Sequence, residues 1–128
     1  MMGDLSHVQS IYLACGYTDM RKSIDGLAAI VQYQFHLDPF DNCLFLFCGR
    51  SSNKIKALYW EGDGFLLLYK RLEDGKFKWP RSENEVKEIT FQQYRWLLEG
   101  LSLEQPKKYK KGELYQRFIS VEKAQKVR

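Results

Sequence analysis

Arg21 and Lys22 directly follow Thr18, Asp19 and Met20, and together they open a stretch with helical periodicity. Thr18 is a good N-cap. Asp19 suits a first turn, where exposed backbone N–H groups favour negative charge. Two cations in that turn are disfavoured by roughly 0.3–1 kcal/mol each. Two arrangements reconcile them. Arg21 pairs with Asp25 four residues on, and Lys22 with Asp19. Alternatively, the N–H groups, Arg21 and Lys22 jointly hold an anion such as a phosphate.

Acidic chemistry is the other option. Asp19, Asp25, Asp41, Glu61, Asp63 and Asp74 supply the ligands a metal-dependent nuclease would need. Each has a cheaper role. Asp63 and Asp74 flank glycines in turns, Asp19 serves a helix start, and Asp25 is placed for Arg21. The chain lacks GxSxG, P-loop and HExxH motifs. Its three cysteines, Cys15, Cys43 and Cys48, form no CxxC pair, and its two histidines lie far from them. We expect no catalytic residue, no metal and no cofactor, and free thiols in a reducing cytoplasm.

The 128 residues fit one domain. No apolar run approaches the ~20 residues of a membrane span, and residues 1–8 do not read as a secretory signal. Charge is unevenly placed. Residues 1–102 carry 12 basic and 13 acidic side chains, residues 103–128 carry 8 and 3, and the whole chain is +4. This divides the chain into a body, 1–102, and a basic C-terminal tail, 103–128. Lys107, Lys108, Lys110 and Lys111 in the tail suit a polyanion such as nucleic acid, or simply keep the chain in solution.

Periodicity sets the frame for these groups. Residues 9–14 read as a strand, and Met20, Ile24, Leu27, Ala28, Val31 and Phe35 as a helix that residues 38–42 end. Residues 43–48 are continuously apolar, as in a strand buried on both faces. Residues 54–60 and 65–72 follow as strands, and Asp74-Gly75 predicts a type I′ hairpin that returns through residues 76–79. Thr90-Phe91-Gln92-Gln93 has the form of a capping box, opening a second helix with Phe91, Tyr94, Leu97, Leu98 and Leu101 on one face and Gly100 near its end. The fold class is α+β: an antiparallel meander with an N-terminal strand, packed by two helices.

Turn lengths give a register. A symmetric closure at residues 61–64 sets Trp60 opposite Phe65, Lys56 opposite Tyr69 and Lys54 opposite Arg71. The hairpin at 74–75 sets Arg71 opposite Lys78. One sheet face then carries Lys54, Lys56, Trp60, Tyr69, Arg71, Lys76 and Lys78. Like charges in the row Lys54–Arg71–Lys78 cost several tenths of a kcal/mol per pair. Cations interleaved with aromatics suit a phosphate backbone with bases stacking nearby. A solvated outer face is the plain alternative.

Residues 16–31 (GYTDMRKSIDGLAAIV) resemble the signature of the TnpB accessory proteins of bacterial insertion sequences of family sixty-six, which are distinct from the RNA-guided nucleases of that name. The likeness continues through DPF at 38–40, LFLFCGR at 44–50, KIKALYWEGDG at 54–64, YKRL at 69–72, GKFKWP at 75–80 and LLEG at 97–100. Ser23 stands where Gly is more usual. The resemblance implies a role in transposition beside a larger transposase, without an activity of its own. We therefore expect a non-enzymatic accessory protein that binds DNA at the element ends, the transposase, or both. The expected contacts are Arg21, Lys22, Lys54, Lys56, Arg71 and Lys78, with the four tail lysines. A pure adaptor for the transposase, a small metal-dependent nuclease and a homodimeric state stay open.

Overall fold

The computed structural model describes residues 5–82 and 85–105. Strand β1 (Ser10–Ala14) leads into helix α1 (Ile24–Ala29), which widens into a π-helical stretch at Ile30–Gln34. Three strands follow: β2 (Cys43–Cys48), β3 (Lys54–Trp60) and β4 (Phe65–Arg71). A fourth, β5 (Val86–Ile89), precedes helix α2 (Phe91–Leu98). The sheet order is β4-β3-β2-β1-β5. Only β1 and β2 are parallel; the other neighbours are antiparallel.

The expected α+β architecture is present, and so is the register of β3 with β4. Lys54 is opposite Arg71, Lys56 opposite Tyr69 and Trp60 opposite Phe65. Strand β2 is buried at every position. Its alternate residues serve two cores, because successive side chains leave a strand on opposite faces. Phe45 and Phe47 pack with Leu58, Leu27 and Val31 beneath α1. Leu44, Leu46 and Cys48 pack with Ile11, Leu13, Trp79 and Leu97 on the α2 side. Burial pushes the Cys48 thiol up to about 11, and all three cysteines are free and buried.

Helix α2 has the expected capping box. The Gln93 N–H donates to Thr90 Oγ1, and the Thr90 N–H donates to Gln93 Oε1. Gly100, at φ +82°, closes the helix, with the Gly100 and Leu101 N–H groups reaching the Leu97 and Trp96 carbonyls. That is the paired bonding of a Schellman end, which needs a left-handed residue at this point. Leu103 is buried in the α2-side core, and its carbonyl accepts from Gln93 Nε2. The proposed body–tail boundary therefore falls just before a core residue. Lys107, Lys108, Lys110 and Lys111 lie outside the described residues.

Three expectations are corrected. The first helix starts at Ile24 with Ser23 as its N-cap, so Thr18 does not cap it and Arg21 and Lys22 precede it. The reason is local competition. Asp19 Oδ1 accepts from the Arg21 N–H, and its carbonyl accepts from the Lys22 N–H, which closes a turn where a helix would begin. The second concerns residues 76–79, which join no strand. Phe77 and Trp79 are instead buried in the α2-side core, with the Phe77 N–H on the Ser52 carbonyl and Trp79 Nε1 on that of Ala14. As an outer hairpin strand beside β4 these two rings would lie at the sheet edge; burying each is favourable by a few kcal/mol. Lys78, exposed between them, consequently leaves the row with Lys54 and Arg71. Third, β5 was not foreseen. It pairs with β1, Ile11 opposite Ile89 and Ala14 opposite Val86.

Candidate nucleic-acid interface

The first half of the signature segment, through Ser23, is a loop between β1 and α1, held to the end of β2 and to β3; this is the signature loop. Gly16, at φ +76°, turns the chain out of β1. The Thr18 N–H then bonds the Cys48 carbonyl at 2.7 Å. From below, Lys56 Nζ donates to the carbonyls of Met20 and Lys22, both at 2.8 Å. Met20 lies against Gly49 so closely that an added Cβ there would stand 2.6 Å from Met20 Cγ. Gly49→Ala should therefore shift Met20 and the loop, at a cost of about 1–3 kcal/mol typical of overpacking. A urea-unfolding midpoint checks this; an unchanged midpoint would contradict the close approach.

This tethering makes a groove of about 630 Å³ between the loop and the turn after β2. Tyr17, Arg21, Arg50 and Lys54 are among its lining residues. Arg50 Nη2 donates to the Tyr17 hydroxyl at 3.1 Å, and its guanidinium lies 4.5 Å from the ring centroid. Lys54 is the cross-strand partner of Arg71, and Lys56 Nζ stands 5.9 Å from the Tyr69 ring centroid. Two carboxylates accompany these cations, each already engaged. Arg21 pairs with Asp19 at 2.7 Å rather than with Asp25, and Arg71 pairs with Glu73 at 2.8 Å. Hydrogen bonds from the Arg21 guanidinium, then from its backbone N–H, hold the Asp19 carboxyl well below the usual carboxylate range. Arg50 and Lys54 have no ion-pair partner among the described residues.

Of the expected contacts, the fold brings Arg21, Lys54 and Arg71 to one margin of the sheet. Lys22 lies on the other side of the signature loop, on a cleft of about 350 Å³ that Ile30, Gln34 and Phe35 also line. Lys56 shares the sheet face, but two carbonyls engage its ammonium. Arg50 and Tyr17 were not singled out from the sequence. They are 33 residues apart and meet because β1 and β2 run parallel, so the loops leaving both strands emerge at one end of the sheet. Among the described residues, no three or more His, Cys, Asp and Glu side chains stand close enough to hold a metal ion. Nor is any described helix long and apolar enough to cross a membrane.

The segments that build this margin are those that carry the sequence resemblance. A family profile described as "IS66 Orf2 like protein" matches residues 9–108, spanning every strand and helix of the described residues. The chain belongs to the IS66 Orf2-like family. Members are associated with transposition of insertion sequences. Two relatives from Sinorhizobium fredii (strain NBRC 101917 / NGR234) are similar over most of their length. Uncharacterized protein y4hO is 38% identical over 96 residues, which is 75% of this chain and 84% of the relative. Uncharacterized protein y4jC is 30% identical over 91 residues, 71% of this chain and 78% of the relative. No solved structure matches this chain.

Proposed function

We propose that this protein is a non-enzymatic accessory factor for transposition that binds DNA along the margin formed by the signature loop, the turn after β2 and the paired strands β3 and β4. The observation that carries this reading is the convergence of Arg21, Arg50, Lys54 and Arg71; among the described residues, Arg21 and Arg71 are ion-paired, with Asp19 and Glu73, and Arg50 and Lys54 are not. Cations so placed serve phosphate oxygens, and such contacts supply most of the sequence-independent affinity for DNA. Lys22, Lys78 and the tail lysines Lys107, Lys108, Lys110 and Lys111 add to the basic field in this reading, and Lys56 positions the loop.

The test is a salt titration of binding to element-end DNA. Each phosphate neutralised on duplex DNA contributes about −0.9 to the log–log salt slope. Converting Arg50 and Lys54 together to Glu should therefore flatten the slope by about 2 units and weaken binding more than tenfold at low salt. An unchanged slope and affinity would place the contact elsewhere.

A second reading, docking to the transposase, has its own support at the other end of the sheet. Phe40, Trp60 and Phe65 form a cluster with centroids 4.9–5.3 Å apart, Trp60 meeting both phenylalanines edge-on, and Phe40 is 55% exposed. Exposed aromatic clusters are enriched at protein interfaces. Loss of transposase binding in a Phe40→Ser variant, with DNA affinity retained, would assign this corner to that partner.

A further inference from the structure

We propose that the ligand of this margin is a single strand of nucleic acid, with bases stacked on Tyr17 and Tyr69. The inference rests on the nucleic-acid reading above and specifies its substrate. Tyr17 and Tyr69 are 46% and 53% exposed, which leaves ring surface open to a ligand. A cation stands beside each. The Arg50 guanidinium lies over Tyr17, and the Lys56 ammonium stands near Tyr69. A hydrogen bond to the Tyr17 hydroxyl and two carbonyl contacts to Lys56 keep these cations in place. The rings are therefore oriented side chains with exposed surface.

Lys54 and Arg71 link the two rings: they are directly opposite one another across β3 and β4, and Lys54 lines the same groove as Tyr17. Arg71 is two residues from Tyr69 on the same strand and so shares its face. The order along the margin is thus ring with cation, cations, then ring with cation. That alternation fits unpaired nucleotides, whose phosphates meet the lysine and arginines while their bases splay onto aromatic planes. Duplex DNA cannot use the rings in this way. Its base faces are already stacked on one another, and only base edges and phosphates are presented.

The experiment measures fluorescence anisotropy of the full chain with a labelled DNA strand, the same sequence as duplex, and the same sequence as RNA. Four proteins are compared: wild type, Tyr17→Ala/Tyr69→Ala, Tyr17→Phe/Tyr69→Phe, and Arg50→Glu/Lys54→Glu. Wild type should bind a single strand at least tenfold tighter than duplex. The double Ala variant should lose roughly 5- to 150-fold of single-strand affinity per ring that stacks a base, while its duplex affinity stays constant. The double Phe variant should keep most of the single-strand affinity, because both stacking planes survive and only the Arg50 bond to the Tyr17 hydroxyl is lost. Melting temperatures show that the variants remain folded. The DNA and RNA arms identify which strand is preferred. Equal affinity for single strand and duplex, lost on charge reversal, would overturn the single-strand proposal and leave the DNA-binding reading standing. Unchanged single-strand affinity in the double Ala variant would do the same. Absence of binding to all three nucleic acids at low salt would overturn both.

Discussion

Trp79→Ala is expected to lower the stability of the domain by about 3–5 kcal/mol, the usual range for removing a large buried aromatic. Small domains have only about 5–15 kcal/mol in total, so this one change should bring the protein near its unfolding threshold. Trp79 is 5% exposed and packs in the α2-side core with residues of β1, β2 and β3. Its indole N–H donates to the Ala14 carbonyl at 2.8 Å, where β1 ends and the signature loop begins. A Trp79→Phe variant separates the two contributions. It retains most of the apolar contact but leaves that carbonyl without its indole donor, for about 1–3 kcal/mol. Urea midpoints of both variants provide the check. A loss below ~1 kcal/mol for the Ala variant would mean that residues 76–80 do not pack across the sheet end as described.

Lys56→Met should release the signature loop. The substitution keeps the apolar stem and removes the ammonium that serves two backbone carbonyls. Hydrogen bonds to a charged group contribute roughly 1.5–3 kcal/mol, and the lower end applies here because Lys56 is only part-buried. Hydrogen exchange reads the consequence directly. The Thr18 amide, bonded to the Cys48 carbonyl, and the Lys22 amide, bonded to the Asp19 carbonyl, should both exchange faster. Lys56→Arg should not restore protection. A planar fork does not reproduce the compact three-donor geometry that reaches two carbonyls at once. Wild-type exchange at Thr18 in the Met variant would show that the loop is held by its other tethers alone. Nucleic-acid affinity should fall together with protection, since Arg21 and Tyr17 are carried by this loop.

Much of the fold was legible from pattern. The continuous apolar run at 43–48 reads as a strand buried on both faces because each face needs its own apolar set, and the two cores confirm it. The register of β3 and β4 followed from a symmetric closure at residues 61–64 and the two-residue period of a strand, which set Lys54 opposite Arg71 as the structure has them. Thr90 and Gln93 specify a helix start through reciprocal bonds four residues apart at most.

Other features depended on contacts distant in sequence. The four residues of β5 are Val-Lys-Glu-Ile, which lack strand alternation, and β1 alone selects them. Asp74-Gly75 is a strong hairpin signal, and Gly75 does take a left-handed φ of +85°. Yet the burial of Phe77 and Trp79 outweighs the backbone bonds that a further edge strand would make. The start of α1 was misplaced for a related reason. Thr18 and Asp19 have the chemistry of a cap, but the bond from Thr18 to β2 and the Lys56 clamp draw the chain into a loop before Ile24.

The sequence by itself determined the kind of chemistry at the candidate site: cations at 21–22, and cations with aromatics at 54–71, on segments whose motifs mark the family. Charge and alternation are local properties, and a linear chain displays them. Tertiary structure alone decided which of these groups converge. The parallel pairing of β1 with β2 brought the Tyr17 and Arg50 loops together, and the crossing of residues 76–80 removed Lys78 from the row. Both outcomes depend on which apolar side chains find a shared core, and that is a competition among segments far apart in the chain.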